Sequence, residues 1–174
     1  MYPGELPCDA STLIYLAKAD AFSEAVRCVG PLVVTPSVWR EAVEEGERIG
    51  APEVPRIREA EMEGLLHRVE LEETEQKLAE SLAVEQRLGA GESEVLALAT
   101  TIGQAVIDEG RASRVAEAVG ITPVSTLFLP LVGRRQRALE AREALALLRR
   151  LAVVTGARAE VVFQLESELR KERP

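Results

Sequence analysis

Four acidic residues punctuate an alternating strand and helix pattern, and each falls where a strand ends or a helix begins. They are Asp9 in Cys8-Asp9-Ala10-Ser11-Thr12-Leu13-Ile14, Glu41 in Thr35-Pro36-Ser37-Val38-Trp39-Arg40-Glu41, Glu92 in Gly89-Ala90-Gly91-Glu92-Ser93-Glu94, and Asp108 in Ala105-Val106-Ile107-Asp108-Glu109-Gly110-Arg111. In a parallel α/β sheet the ligand crevice lies beyond the carboxyl ends of the strands, so such residues can converge although distant in sequence. Converging carboxylates imply a hard metal ion, because at an effective dielectric of about 20 two like charges ~4 Å apart repel by roughly 4 kcal/mol.

The pattern runs β-α-β-α-β-α-α-β-α-β. Strands are expected at 6–9, 31–35, 65–71, 104–107 and 121–124. Helices are expected from Ser11, through Pro36 to Val43, over 56–63, 73–88, 92–102 and 111–119, with a loop at 46–55 where Gly and Pro accumulate. This order predicts a parallel sheet flanked by helices. Beyond Ser125 only helices follow, and the tail from about 127 to 174 is expected to extend the same single domain, 1–174, whose core occupies about 5–130. On a helix starting at Glu92, the stripe of Val95, Leu96, Leu98, Ala99 and Ile102 places Glu92 about 50° from its centre and Glu94 about 110° away, so Glu92 is expected to face the crevice and Glu94 water.

Composition narrows the chemistry. A single histidine, His67, rules out a two-histidine ribonuclease and a multi-histidine metal site within the chain. No Gly-x-Ser-x-Gly elbow accompanies it, which argues against a Ser-His-Asp triad. Cys8 and Cys28 are too few for a disulfide framework, form no Cys-x-x-Cys, and read as buried small hydrophobes. No secretory leader and no membrane-length apolar run stands out, so a cytoplasmic protein without a membrane partner is expected. The net charge of −8 would argue against a polyanionic ligand, except that carboxylates holding Mg²⁺ or Mn²⁺ present a positive ion to phosphate. Arg111 and Arg114 form a local basic cluster.

Each acid also has a purely structural use. Asp9 can cap the helix behind it, Glu41 can lie on an exposed helix face, Glu92 can complement a helix dipole, and Asp108 can precede a turn. Helical periodicity does not separate Glu41 from Glu44 or Glu45. A receiver-type phospho-acceptor domain, which also clusters acids on parallel strands, needs adjacent acids after the first strand and a Lys after the last, and has neither here.

These segments resemble the PIN domain family over about residues 5 to 130. Asp9-Ala10-Ser11 is similar to its opening Asp-x-Ser motif, Pro36 to Glu41 to its Pro-x-x-x-x-Glu, and Gly91-Glu92-Ser93-Glu94-Val95-Leu96-Ala97-Leu98-Ala99 to a Gly-Glu form of its third acidic motif. Asp108-Glu109-Gly110-Arg111 with the helix ending at Gly120 is similar to the fourth. The resemblance implies an α/β fold with a parallel sheet of four to five strands in the order 3-2-1-4-5, flanked by helices. It implies Mg²⁺ or Mn²⁺ held by Asp9, Glu41, Glu92 and Asp108, and endoribonuclease activity on RNA of the kind found in VapC-like toxins, with a small antitoxin partner. Ser11, Ser125 and Thr126 would support the site, with Glu109 as an alternative to Asp108, and Arg111 and Arg114 would hold the RNA backbone. A non-catalytic PIN-like module binding RNA or protein is the rival reading. The apolar positions Leu127, Phe128, Leu131, Val132, Leu145, Leu148, Leu151 and Phe163 in the tail lead us to expect a homo-oligomer.

Overall fold

In the computed structural model, residues 4–108 and 110–171 are described. The fold is mixed α/β and mostly helical. Strands β1 (Leu6–Pro7), β2 (Leu32–Val34) and β3 (Leu66–Arg68) form one parallel sheet in the order β1-β2-β3, and β4 (Gln104–Val106) and β5 (Thr122–Val124) form a second parallel pair. The expected continuous sheet of four to five strands is therefore divided between β1 and β4, where one isolated parallel bridge joins Cys8 to Val106.

Proline explains the division. The amides of Leu6 and Cys8 point toward β2 and donate to Pro31 O (3.0 Å) and Val33 O (3.1 Å). The alternate positions, Pro7 and Asp9, face β4, and Pro7 has no N–H to give. Only Asp9 N reaches across, to Val106 O at 3.2 Å, and the chain then leaves the sheet to begin a helix.

Helix α1 (Ala10–Ala19) starts at Asp9 and stops where Asp20 adopts the left-handed conformation with φ 52°. The turn feeds α2 (Phe22–Val29), an element not expected from the sequence because no Gly or Pro marks its entry. After β2, α3 (Pro36–Trp39) has Pro at its first position and passes through a π-helical turn (Arg40–Glu44) into α4 (Glu45–Ile49). The expected loop thus begins later. Gly46 is a buried helical residue beside Val54, and the helix stops at Gly50, φ 71°. Helices α5 (Val54–Met62), α6 (Glu73–Gln86), α7 (Ala90–Ala99) and α8 (Arg111–Ala118) surround the strands.

A short 3₁₀ turn (Thr126–Phe128) leads to α9 (Leu129–Arg135), α10 (Ala141–Thr155) and α11 (Ala159–Lys171). Helix α9 packs on α2, α10 on α1 and α9, and α11 on α10. Leu127, Leu131, Leu148 and Leu151 join the same buried cluster as Leu13, Leu16, Leu32 and Val106, so the chain covers most of the tail's apolar face itself. Phe128 and Phe163 stay exposed, at 42% and 71%. Two arginines lock the tail to the core. Arg27 donates to both carboxylate oxygens of Glu143 (2.9 and 3.2 Å) and to Ala138 O (2.6 Å). Arg150 donates to Ala19 O (3.1 Å) and Asp20 O (2.7 Å) and pairs with Glu24, so it clasps the α1–α2 turn.

Candidate active site

Because every strand pair is parallel, the carboxyl ends of β1, β2, β4 and β5 deliver Asp9, Thr35 to Ser37, Asp108, and Ser125 with Thr126 to one edge of the fold. Asp9 is the N-cap of α1: its backbone is extended, and its Oδ1 accepts the Thr12 amide at 2.7 Å. Its second oxygen accepts the Asp108 amide at 3.3 Å. The Asp108 backbone thereby lies against the Asp9 carboxylate.

Asp108 is held in turn by the two residues after β5. Its Oδ1 accepts Ser125 Oγ (2.7 Å) and the Thr126 amide (2.9 Å), and its Oδ2 accepts Thr126 Oγ1 (2.6 Å). The Thr126 hydroxyl also lies 3.1 Å from that of Thr12, which closes a ring of contacts from Asp9 through Thr12 and Thr126 to Asp108. Sequence pattern does not single out Thr12. Its signal is local, a polar residue three positions after a strand-end Asp, where an N-cap finds its donor.

Burial dominates the electrostatics of this pair. Asp9 is 9% exposed, and its carboxyl is pushed from an ordinary 3.8 up to about 6, first by desolvation and then by the charge of Asp108, against the opposing Thr12 and Asp108 hydrogen bonds. An acid destabilised in its ionised form beside a second acid is a site that a cation relieves. The oxygen-only donor set suits a hard divalent ion such as Mg²⁺ or Mn²⁺, and in that respect the residues fit one.

The other two predicted ligands, Glu41 and Glu92, make contacts of their own. Glu41 is exposed on the π-helical turn, its carboxylate against Gly91 at the start of α7, in a cavity of about 190 Å³ shared with Ser37, Arg40 and Glu45. Glu92 folds back so that Oε2 accepts the Gly89 amide at 2.8 Å, capping α7. Glu94 does not face water as expected: it accepts both the Ser37 amide (2.9 Å) and the Ser37 hydroxyl (2.6 Å) at the start of α3. Gly91, Ser93 and all five residues from Val95 to Ala99 are buried, and a helix enclosed on every side has no water-facing stripe for Glu94 to occupy. Among the described residues no three acids, histidines or cysteines converge as a metal-ready group.

Of the supporting residues, Ser11 and Ser125 line a cavity of about 300 Å³ with Asp108. Glu109 lies outside the described residues. Arg111 and Arg114, on α8, line a separate groove of about 540 Å³ with Arg87, and Arg111 donates to Gln86 O at 3.3 Å. The two cysteines behave as expected: both are buried, and desolvation raises both thiols, Cys28 to about 11.

A family profile described as DUF3368, PIN domain, matches residues 7–160, a span that takes in most of the chain and the whole edge holding Asp9 and Asp108. The chain belongs to this PIN domain family. No curated protein and no solved structure gives a match. PIN domains are generally nucleases that use divalent metal ions. No helix among the described residues is long and apolar enough to cross a membrane.

Proposed function

We propose that this PIN domain is a metal-dependent endoribonuclease that hydrolyses phosphodiester bonds of RNA, with Asp9 and Asp108 at its centre. The observation that carries this reading is the pairing of two acids at the ends of β1 and β4: the Asp108 amide donates to the Asp9 carboxylate, and the charge of Asp108 helps raise that buried carboxyl to about 6. Asp9 and Asp108 would hold the Mg²⁺ or Mn²⁺, with Glu41 and Glu92 proposed as further ligands. A bound divalent ion supplies positive charge beside the phosphate and acidifies water at neutral pH.

The protein's own contribution is orientation. Thr12 fixes one oxygen of Asp9, while Ser125 and Thr126 fix both oxygens of Asp108. Arg111 and Arg114, at the start of the helix that follows Asp108, supply charge for the RNA backbone. A VapC-like toxin role in the cytoplasm, with a small antitoxin and a homo-oligomeric state, belongs to the same reading, and the exposed Val153 and Phe163 on the α10 and α11 hairpin give a partner apolar surface to cover.

The rival reading, a non-catalytic module binding RNA or protein, draws on a specific observation: Glu92 is spent on Gly89, and among the described residues no three acids converge as a metal-ready group. Incubation of a panel of labelled single-stranded RNAs with Mn²⁺, Mg²⁺ or chelator decides between them. Cleavage in metal that vanishes in chelator and in Asp9→Asn is expected. Intact RNA in every condition, with binding retained, selects the module.

A further inference from the structure

The cavity beside Asp108 is walled on its far side by the tail of the chain. Thr155, Gly156, Ala157, Arg158 and Val161, from the α10–α11 turn and the first turn of α11, face Ser11, Tyr15, Asp108, Ser125 and Leu127 across about 300 Å³. Two of these side chains stand out. Arg158 is exposed and the hydroxyl-bearing Tyr15 is half-buried, and neither the Arg158 guanidinium nor the Tyr15 hydroxyl has a hydrogen bond or ion pair with any described residue. Most other arginines near the tail are committed: Arg27 to Glu143, Arg149 and Arg170 to Glu166, Arg150 to Glu24. An uncommitted cation and an uncommitted aromatic ring therefore share one cavity with a candidate catalytic acid.

We propose that the α10–α11 turn completes the site as a nucleotide pocket for single-stranded RNA, in which Arg158 holds the phosphate next to the scissile one and Tyr15 stacks on the adjoining base. The chemistry matches each part. A guanidinium presents a planar fork of donors suited to phosphate oxygens, and aromatic side chains stack on bases whatever their identity. Leu127 and Val161 add apolar wall, and Asp108 keeps the pocket open to the acid pair. Glu160, an acid two residues after Arg158, is exposed on the first turn of α11. The substrate class rests on the nuclease reading, but the pocket itself is a binding claim. It also gives the helical tail a role in substrate recognition.

The test is binding of a fluorescein-labelled single-stranded RNA of about eight nucleotides to the full chain in Ca²⁺, read by anisotropy over a salt series, with cleavage in Mn²⁺ followed on gels. Arg158→Ala should weaken binding roughly tenfold and lower the slope of log K against log salt by about 0.7. Arg158→Lys should restore the slope, Tyr15→Phe should bind like wild type, and Tyr15→Leu should weaken binding at least about fivefold. Arg142→Ala, an exposed arginine elsewhere on α10, should change nothing, and thermal melts confirm that each variant is folded. Wild type and Arg158→Ala alike in affinity, slope and cleavage would overturn the pocket and leave the nuclease reading intact. RNA binding weakened by Arg158→Ala without cleavage in either metal would sustain the pocket and sink the nuclease. A wild type that neither binds nor cleaves RNA overturns both.

Discussion

The Asp108 amide donates to the Asp9 carboxylate across 99 residues of sequence, at 3.3 Å. That contact sets the ends of β1 and β4 together although only the Cys8–Val106 bridge joins the two strands. It also brings the half-buried Asp108 close enough for its charge to act on the buried Asp9 carboxyl, and the chemistry of the site follows from that proximity.

The raised Asp9 carboxyl makes stability depend on pH with a definite sign. The folded state holds the Asp9 proton more tightly than the unfolded chain, with values of about 6 and 3.8. Stability contributed by this group therefore falls as pH rises from about 4 to about 6, and the penalty is complete above that window. At about 1.4 kcal/mol per pKa unit it reaches about 3 kcal/mol. In chelator, Asp9→Asn, which can still cap α1, should gain stability over wild type at about pH 7.5 and little at about pH 4.5. Denaturant melts showing the same difference at both pH values would contradict this.

The two glutamates of the Gly-Glu motif should separate by stability. Glu94→Ala strands the Ser37 amide and hydroxyl at the start of α3, at a cost of about 1–3 kcal/mol. Glu92→Ala loses a single capping contact at the exposed end of α7 and should cost about 0.5–1 kcal/mol. Urea denaturation ranks them, and a larger loss for Glu92→Ala would refute the roles drawn from these hydrogen bonds.

Parts of this arrangement are legible in the sequence because they are local. A strand-end Asp followed by a helix reads as an N-cap, and an acid after Val106-Ile107 reads as a strand terminus, so Asp9 and Asp108 can be named without knowledge of their contact. The Glu94–Ser37 contact spans 57 residues and is invisible to periodicity, which assumes that a helix has a wet side. The break between β1 and β4 depends on which side of the strand Pro7 faces, and that is fixed only once β2 has taken the opposite side. Helix α2 escapes a sequence reading because its entry turn uses a left-handed Asp20 in place of Gly.

Gly133 tests whether the tail is integral to the core. A Cβ there would collide with the Cys28 sulfur and crowd the Leu139 side chain at 3.0 Å, where α9 lies on α2. Gly133→Ala should destabilise the whole protein by about 1–3 kcal/mol through overpacking, whereas Gly156→Ala, with open space around it, loses only through its left-handed backbone at φ 65°. A cooperative melt shifted down for Gly133→Ala is expected, and an unchanged midpoint would mean that α9 does not press on α2 as described.

Direct titration of Mn²⁺ into the apo protein, followed by the loss of the free-ion electron paramagnetic resonance signal, tests the central claim most closely. Wild type should bind Mn²⁺ with a matching rise in melting temperature, and Asp9→Asn and Asp108→Asn should each weaken that binding at least about tenfold, roughly 1.4 kcal/mol, while remaining folded. Undiminished Mn²⁺ affinity in both variants would show that the Asp9–Asp108 pair is not where this PIN domain holds its metal.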